Sequence, residues 1–493
     1  MEESTNITTT ENTDSDPATE SSVATIRKRP WTVLIFLGGE NNLSDEMIFA
    51  IKAMKSSVHL PSQAAARTTF NFHAAVQFAA EYSLLSSPIR FELHPGDFDG
   101  STHADYVDTY DKDRAPSWSG DGSYVDELVD FLHWGITHYP ADKYFVILSG
   151  HGNGVESNFL IKDSVPPQSL TIKQLRTVLE HDDVKKALDK VNHKKKIDIV
   201  GFDSCLMSMI EVGYELRDSV NLLVASQGSE ANLGWPYKAM FEHLQADQTA
   251  RPDDLARSVV DATVKYYVDF SIIANSSADI SVSDLAEEKI KELVAAIDEL
   301  AKALLDKFPA KPDESTIEND NLLRTVIFAH WYAQTYYNDQ YTDIADFCDV
   351  LRRNLNPESF GGIIGACDRV IKAIENNFVI HNCYTGPMYQ YSNGVSIYFP
   401  WAQIYPLYEN ATPSLDFIRH THWLRFIRTY IKVTQRPGKP GNKPKEKVRI
   451  FRSKDNFPRT RGADDPSLRA KNPAQKWNVP ACIWEYVKAQ LSE

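Results

Sequence analysis

The chain has 493 residues, 42% of them hydrophobic and 24% charged, with a formal net charge of −15. These are the fractions of an ordinary globular protein with ample material for a large core and, by length, two or three domains. The acidic balance argues against nucleic acid as the main partner, and no run approaches the roughly 18–20 continuous apolar residues of a membrane helix.

Residues 2–22 are rich in Ser, Thr, Glu and Asp, without the basic start or apolar core of a secretion signal. The simplest reading is a cytoplasmic protein whose leader, residues 1–29, is disordered by composition. Five cysteines occur, at Cys205, Cys348, Cys367, Cys383 and Cys482, with no CxxC pair. Their odd number and low density predict neither a disulfide framework nor a structural zinc site, and suit a reducing compartment.

Periodic structure begins at Trp31–Leu37, a β-branched and aromatic run that stops at Gly38-Gly39 and predicts a strand buried on both faces. Leu43, Met47, Ile48, Ile51 and Met54 then recur at helical spacing. The pattern repeats. Strands are predicted at Phe70–Phe78, Ile89–Leu93, Tyr144–Leu148, Ile197–Phe202 and Leu222–Ala225. Helices are predicted at Val125–His138, over most of Leu170–Leu188 and at Leu206–Leu216. This alternation implies an α/β fold with a largely parallel sheet covered by helices, and ligands beyond the carboxyl ends of its strands.

From about Leu255 helices dominate, at Asp284–Phe308, Asn321–Tyr337, Ile344–Leu355 and Gly362–Asn377. Two further strands, Asn377–Cys383 and Val395–Phe399, either extend the first sheet or belong to a second domain. The expected division is a leader over 1–29, an α/β domain over 30–250, a helix-rich region over 251–432 and a basic tail over 433–493. Within the tail, Arg436–Gly462 carries many Lys and Arg against Glu446 and Asp455. It reads as a solvated linker, or as a docking segment for an acidic, regulatory protein partner.

Two strand ends carry reactive residues. Ser149-Gly150-His151-Gly152-Asn153-Gly154 is a glycine-rich turn that exposes one imidazole and offers backbone N–H donors. In Gly201-Phe202-Asp203-Ser204-Cys205-Leu206-Met207 the apolar spacing switches from strand-like to helical at Cys205. A thiol at a helix N-terminus feels the positive end of the helix dipole, which favours thiolate. Each residue alone also fits a bland role, a turn histidine or a buried structural cysteine. Together, at carboxyl ends of strands in one predicted parallel sheet, they can share a substrate. Their separation, 205 − 151 = 54 residues, is close to the roughly 50 between His and Cys in caspases, although the caspase pentapeptide is absent.

The sequence resembles the clostripain peptidases, relatives of caspases and gingipains. The matching segments are Trp31–Asn42 (WTVLIFLGGENN), Ser149–Gly154, Gly201–Met207, Ala225–Tyr237 (ASQGSEANLGWPY) and Ser392–Pro400 (SNGVSIYFP), in family order. The resemblance implies a caspase-like three-layer α/β sandwich, with a mainly parallel sheet and a helix-rich C-terminal region, and cysteine endopeptidase activity. It places Cys205 as nucleophile, His151 as proton-transfer partner, and the N–H groups of Gly152 and Cys205 as oxyanion donors. Asp203, Ser204, Gln227, Glu230 and Trp235 fall on substrate-binding positions.

Asp203 matches the family acid near the floor of the S1 pocket, where a basic P1 residue is selected; capping of the following helix is its other reading. Leu233 stands where some relatives have an acidic pocket residue, so selectivity for Arg or Lys is expected in weakened form. Lys162, beside Pro166-Pro167, is a candidate for self-cleavage. No cofactor is implied, and no EF-hand-type loop supports a calcium requirement; Asp97, Asp99 and Asp105 read as a solvated acidic turn. The alternative function is a catalytically silent, caspase-like scaffold that binds a partner.

Overall fold

A strand that alternates its apolar side chains between two faces needs cover on both, and β1 (Arg29–Gly39) shows this directly. Leu34 and Phe36 enter one hydrophobic core, whereas Trp31, Val33, Ile35 and Leu37 enter a second on the opposite face. The computed structural model describes residues 27–57, 69–80, 88–95, 123–155, 159–162, 168–273, 277–308, 316–337, 339–410 and 414–434. The acidic leader before residue 27, the Asp97/Asp99/Asp105 loop, Cys482 and Arg436–Gly462 lie outside them.

In chain order the first elements are α1 (Ser44–Lys55), β2 (His73–Ala80), β3 (Ile89–Glu92), α2 (Tyr124–His138) and β4 (Ala141–Ser149). A hairpin of β5 (Phe159–Lys162) and β6 (Gln168–Leu170) precedes α3 (Ile172–Leu179) and α4 (Asp182–Asn192). Then come β7 (Ile197–Asp203), α5 (Ile210–Leu216), β8 (Val220–Ala225), α6 (Tyr237–Ala246), α7 (Pro252–Ile273), β9 (Ala278–Asp284) and α8 (Glu287–Lys307). The rest is α9 (Ile317–Tyr332), β10 (Thr335–Tyr336), β11 (Tyr341–Asp343), α10 (Ile344–Asn354), α11 (Pro357–Ala373), β12 (Val379–Thr385), β13 (Ser396–Tyr398), α12 (Pro406–Asn410), α13 (Asp416–His420) and α14 (Trp423–Thr434).

Eight strands form one sheet in the order β12-β9-β8-β7-β4-β1-β2-β3. The run β8-β7-β4-β1-β2 is parallel throughout, and β3, β9 and β12 join antiparallel. One core packs residues of α2, α3, α5 and α8 against the sheet, and the other those of α1, α6 and α7. The result is the expected α/β sandwich of three layers. Of the two late strands, β12 extends the main sheet and β13 pairs with β11 in a separate three-stranded sheet.

Strand order reverses between β1 and β4: from β1 the chain steps outward to β2, then returns to β4 and continues through β7 to β8. Such a switch point leaves a crevice beyond the carboxyl ends of the diverging strands. The loops after β1, β4 and β7 all open onto it.

One prediction about this region fails. No helix starts at Cys205; α5 begins five residues later, at Ile210. Leu206 adopts a left-handed backbone (φ 67°), and its N–H donates to Gly228 O at 2.9 Å, while that of Ser208 donates to Ser226 O at 2.8 Å. Ser396 N–H in turn donates to Ser208 O at 2.9 Å. These tertiary bonds satisfy the backbone of 206–208 without a helical turn, so the apolar spacing there reports burial rather than helix.

Candidate active site

The geometry starts from strand register. In the parallel β4–β7 pair, Ser149 is the partner of Asp203. His151 and Cys205 each lie two residues beyond that matched pair, so neighbouring strands deliver them side by side. The chain between them folds closely enough that a Cβ added to Gly152 would lie 2.4 Å from the carbonyl oxygen of Cys205 and 3.2 Å from its nitrogen. Glycine at 152 is therefore a steric requirement. Both residues line one open cleft.

His151 is half-exposed, and its Nε2–H donates to Asn42 Oδ1 at 2.7 Å. This contact fixes the ring from the loop after β1 and leaves Nδ1 as the acceptor nitrogen. Asn42 belongs to the matching Trp31–Asn42 segment, but nothing in a one-dimensional reading connects an Asn there to a histidine 109 positions away.

Cys205 is a free, half-buried thiol. Its sulfur accepts the Glu230 N–H at 3.2 Å and faces the Glu230 carbonyl at 3.8 Å. Burial, and next the Glu230 carboxyl, push its pKa up to about 11. The lowered value expected from a helix dipole is thus corrected, because no helix starts there and an acid stands beside the sulfur. With a raised pKa the thiol stays protonated at neutral pH, the thiolate being on the order of one part in ten thousand. Alkylation of the unliganded protein by iodoacetamide should accordingly rise about tenfold per pH unit through pH 9. A rate that levels off near pH 7 would contradict this.

Asp203, the last residue of β7, lies on the cleft floor. Its Oδ2 accepts from Ser149 Oγ at 2.8 Å and from Tyr237 OH at 2.7 Å. It caps no helix, the next one starting at Ile210. Burial raises its pKa against those hydrogen bonds. Glu230 also lines the cleft, and its carboxyl is bonded inward, accepting from Ser226 Oγ and from Trp235 Nε1. Burial, and then Asp203, hold its pKa well above the usual carboxylate range.

Three of the expected substrate contacts have other roles. Gln227 is fully buried away from the cleft, bridging Asp343 Oδ2 at 3.0 Å and the Gly394 N–H at 2.7 Å. Trp235 is core, packed so closely over Gly201 that a Cβ there would sit 2.6 Å from its ring. It meets the cleft's lining through its indole N–H to Glu230 and its backbone bond to Asp203. Ser204 lines the wall but turns its hydroxyl inward to Leu148 O at 3.4 Å.

The remaining wall comes from Leu43, Glu46 and Met47 at the start of α1 and from 231–234, including Leu233. Among the described residues no Lys or Arg lines it. Asp279 of β9 holds the loop behind it, accepting the N–H groups of Gln227 and Gly228 at 2.9 Å each. That strand alternates apolar Ala278, Ile280 and Val282 with polar Asp279, Ser281 and Ser283, a strand signal not among the expected elements.

Cys348 and Cys367 are free and fully buried in α10 and α11. Cys383 is disulfide-bonded, where the odd number and low density of cysteines predict no disulfide framework. No helix among the described residues is long and apolar enough to cross a membrane.

A parallel sheet with a thiol and an imidazole on adjoining strand ends, layered between helices, places the chain in the caspase-like class. Within that class it belongs to the clostripain family, whose model matches residues 115–430. Clostripain of Hathewaya histolytica is 22% identical over 364 residues, 66% of this chain and 66% of that protein, so the match spans just under two thirds of the relative's length. Two structures of a secreted C11 cysteine protease from Bacteroides thetaiotaomicron share the fold. One, in complex with an irreversible peptide inhibitor, is 18% identical, with a TM-score of 0.51 over 80% of this chain and 99% of that one. The other is 15% identical, with a TM-score of 0.53 over 81% and 100%.

Proposed function

We propose that this protein is a cysteine endopeptidase that cleaves after Arg or Lys, with Cys205 as nucleophile and His151 as its proton carrier. One observation carries the reading: the turn bearing His151 abuts the Cys205 backbone, so thiol and imidazole share a cleft. Because the resting sulfur holds its proton, attack begins with transfer of that proton to His151 as the C–S bond forms. The oxyanion is received by the N–H groups of Gly152 and Cys205, each worth on the order of 3 kcal/mol in acyl transfer. The imidazolium then protonates the departing amine as the C–N bond breaks. Water hydrolyses the thioester, releases the new carboxyl and restores the thiol.

The P1 assignment is supported by the cleft's charge. Asp203, Glu230 and Glu46 line it, and only a half-exposed imidazole opposes them. A fluorogenic P1 library should show Arg or Lys preferred, whereas preference for Asp or a large apolar P1 would contradict the assignment. Asn42→Ala should lower kcat about ten- to a hundredfold with little change in KM, because it frees the imidazole without touching the pocket. An unchanged kcat would remove Asn42 from the mechanism.

Lys162 ends β5, where it pairs with Gln168 in the hairpin. Self-cleavage after it would cut that hairpin, and an intact single band from active protein would count against it. The silent-scaffold reading draws on one fact, the protonated thiol clasped by Glu230. Alkylation of Cys205 without any peptide turnover would favour it.

A further inference from the structure

Two carboxyl groups touch on the cleft floor. Asp203 and Glu230 are hydrogen-bonded to one another, and their side-chain partners Ser149, Tyr237, Ser226 and Trp235 are all neutral donors. The charged and titratable groups that face the pair are few. Cys205 and His151 stand across the cleft and Glu46 comes from α1. Tyr237 reaches the pair from α6, Tyr267 from α7 and Asp279 from β9. Apart from the imidazole, every one of these is an acid, a thiol or a phenol.

A buried Asp203 and a part-buried Glu230 in contact, with no cationic side chain between them among the described residues, strongly resist ionising together. At about 4 Å and an effective dielectric near 20, the second charge would cost roughly 4 kcal/mol. The empty pair therefore carries one negative charge and one proton, the O–H of one acid donated to the other. Glu230 is the better holder of that proton, because Asp203 already accepts two hydroxyl donors that stabilise its anion.

We propose that a P1 arginine or lysine is bound in exchange for this proton, making Glu230 a proton-linked specificity residue. In the empty cleft Glu230 donates its O–H to the Asp203 carboxylate. When the cation arrives, that proton leaves to solvent and two carboxylates face one guanidinium or ammonium. The charge balances: the floor has net −1 before binding and −2 + 1 = −1 after it. The inference rests on the P1 reading above and adds its linkage.

Both acids hold protons to higher pH than usual, so affinity for a cationic P1 falls as pH drops, by tenfold per unit while the pair is protonated. A neutral isostere such as citrulline displaces nothing, and its affinity has no such dependence.

The test uses full-length Cys205→Ala protein, which binds peptides without turning them over. Calorimetric titrations at about pH 6 with a peptide ending in arginine, and with its citrulline counterpart, are run in two buffers of different ionisation enthalpy. The difference between the peptides cancels protons exchanged by His151. The expected result is close to one proton released per arginine peptide relative to citrulline, and none in the Cys205→Ala, Glu230→Gln double variant. Tighter binding of the arginine peptide with no proton release would overturn the exchange and leave the P1 reading intact. Arginine bound no better than citrulline across the pH range would sink both. If Glu230→Gln fails to fold, the pH slope of arginine-peptide affinity in the parent protein decides instead: tenfold per unit supports the exchange, and a flat slope refutes it.

Discussion

Cys205→Ala protein will cleave no peptide bond at a measurable rate, a loss of at least about 10⁴-fold, while keeping its fold and its thermal midpoint. The size follows from the chemistry: without a nucleophile neither proton transfer nor oxyanion stabilisation has an acyl intermediate to act on, and such losses are not additive. No other thiol among the described residues can substitute. Cys348 and Cys367 are fully buried within helices of the apolar core, and Cys383 is disulfide-bonded. The fold is spared because the Cys205 side chain is half-buried and its hydrogen bonds are to one backbone unit, that of Glu230. His151→Ala should fall in the same assay by about 10²- to 10⁴-fold, the usual worth of a positioned acid–base group. Residual turnover within tenfold of the parent in Cys205→Ala would end the assignment.

The second large effect is expected at a residue with no reactive group. Gly152→Ala would place a methyl 2.4 Å from Cys205 O and 3.0 Å from the Ser204 Cβ. The Cys205 atoms struck are backbone, so no rotamer change relieves the clash; either the histidine turn or the nucleophile must move. Displacement of an oxyanion donor alone costs about 10²- to 10³-fold in kcat, and overpacking adds a stability loss of about 1–3 kcal/mol. Gly362→Ala is the matched control. Gly362 lies in α11 with nothing within 4 Å of an added Cβ, so it should leave turnover unchanged and stabilise the helix slightly. Equal kinetics for the two variants would show that the close approach at Gly152 is not what aligns the site.

Much of this arrangement was legible in one dimension, and the reason is physical. Trp31–Leu37, Tyr144–Leu148 and Ile197–Phe202 are apolar on consecutive positions because both faces of their strands are covered, so the runs announce themselves. Glycines flanking His151 and the acid before Ser204 mark where those strands stop. What could not be read are features set by tertiary hydrogen bonds. The segment after Cys205 has helical spacing, yet Gly228 and Ser226 capture its N–H groups.

Gln227 and Trp235 stand in the right loop but turn away from the cleft. One is held by Asp343 and Gly394, the other by Gly201 and Phe145. β9 carries a strand's alternation, Ala278, Ile280 and Val282 against Asp279, Ser281 and Ser283, but not the fact that its polar face is buried too, each polar residue useful only once another segment arrives. Asn42 belongs to the same category.

The thiol illustrates how far electrostatics can depart from a local rule. Helix-start reasoning lowers its pKa; burial beside Glu230 raises it to about 11.

The most direct test is covalent: the full-length protein is inactivated with a peptidyl-arginine chloromethyl ketone and the adduct is mapped by mass spectrometry. A single adduct on Cys205 is predicted, forming in step with loss of peptidase activity and slowed by orders of magnitude in His151→Ala. An adduct on another residue, or full activity after Cys205 is completely modified, would contradict it.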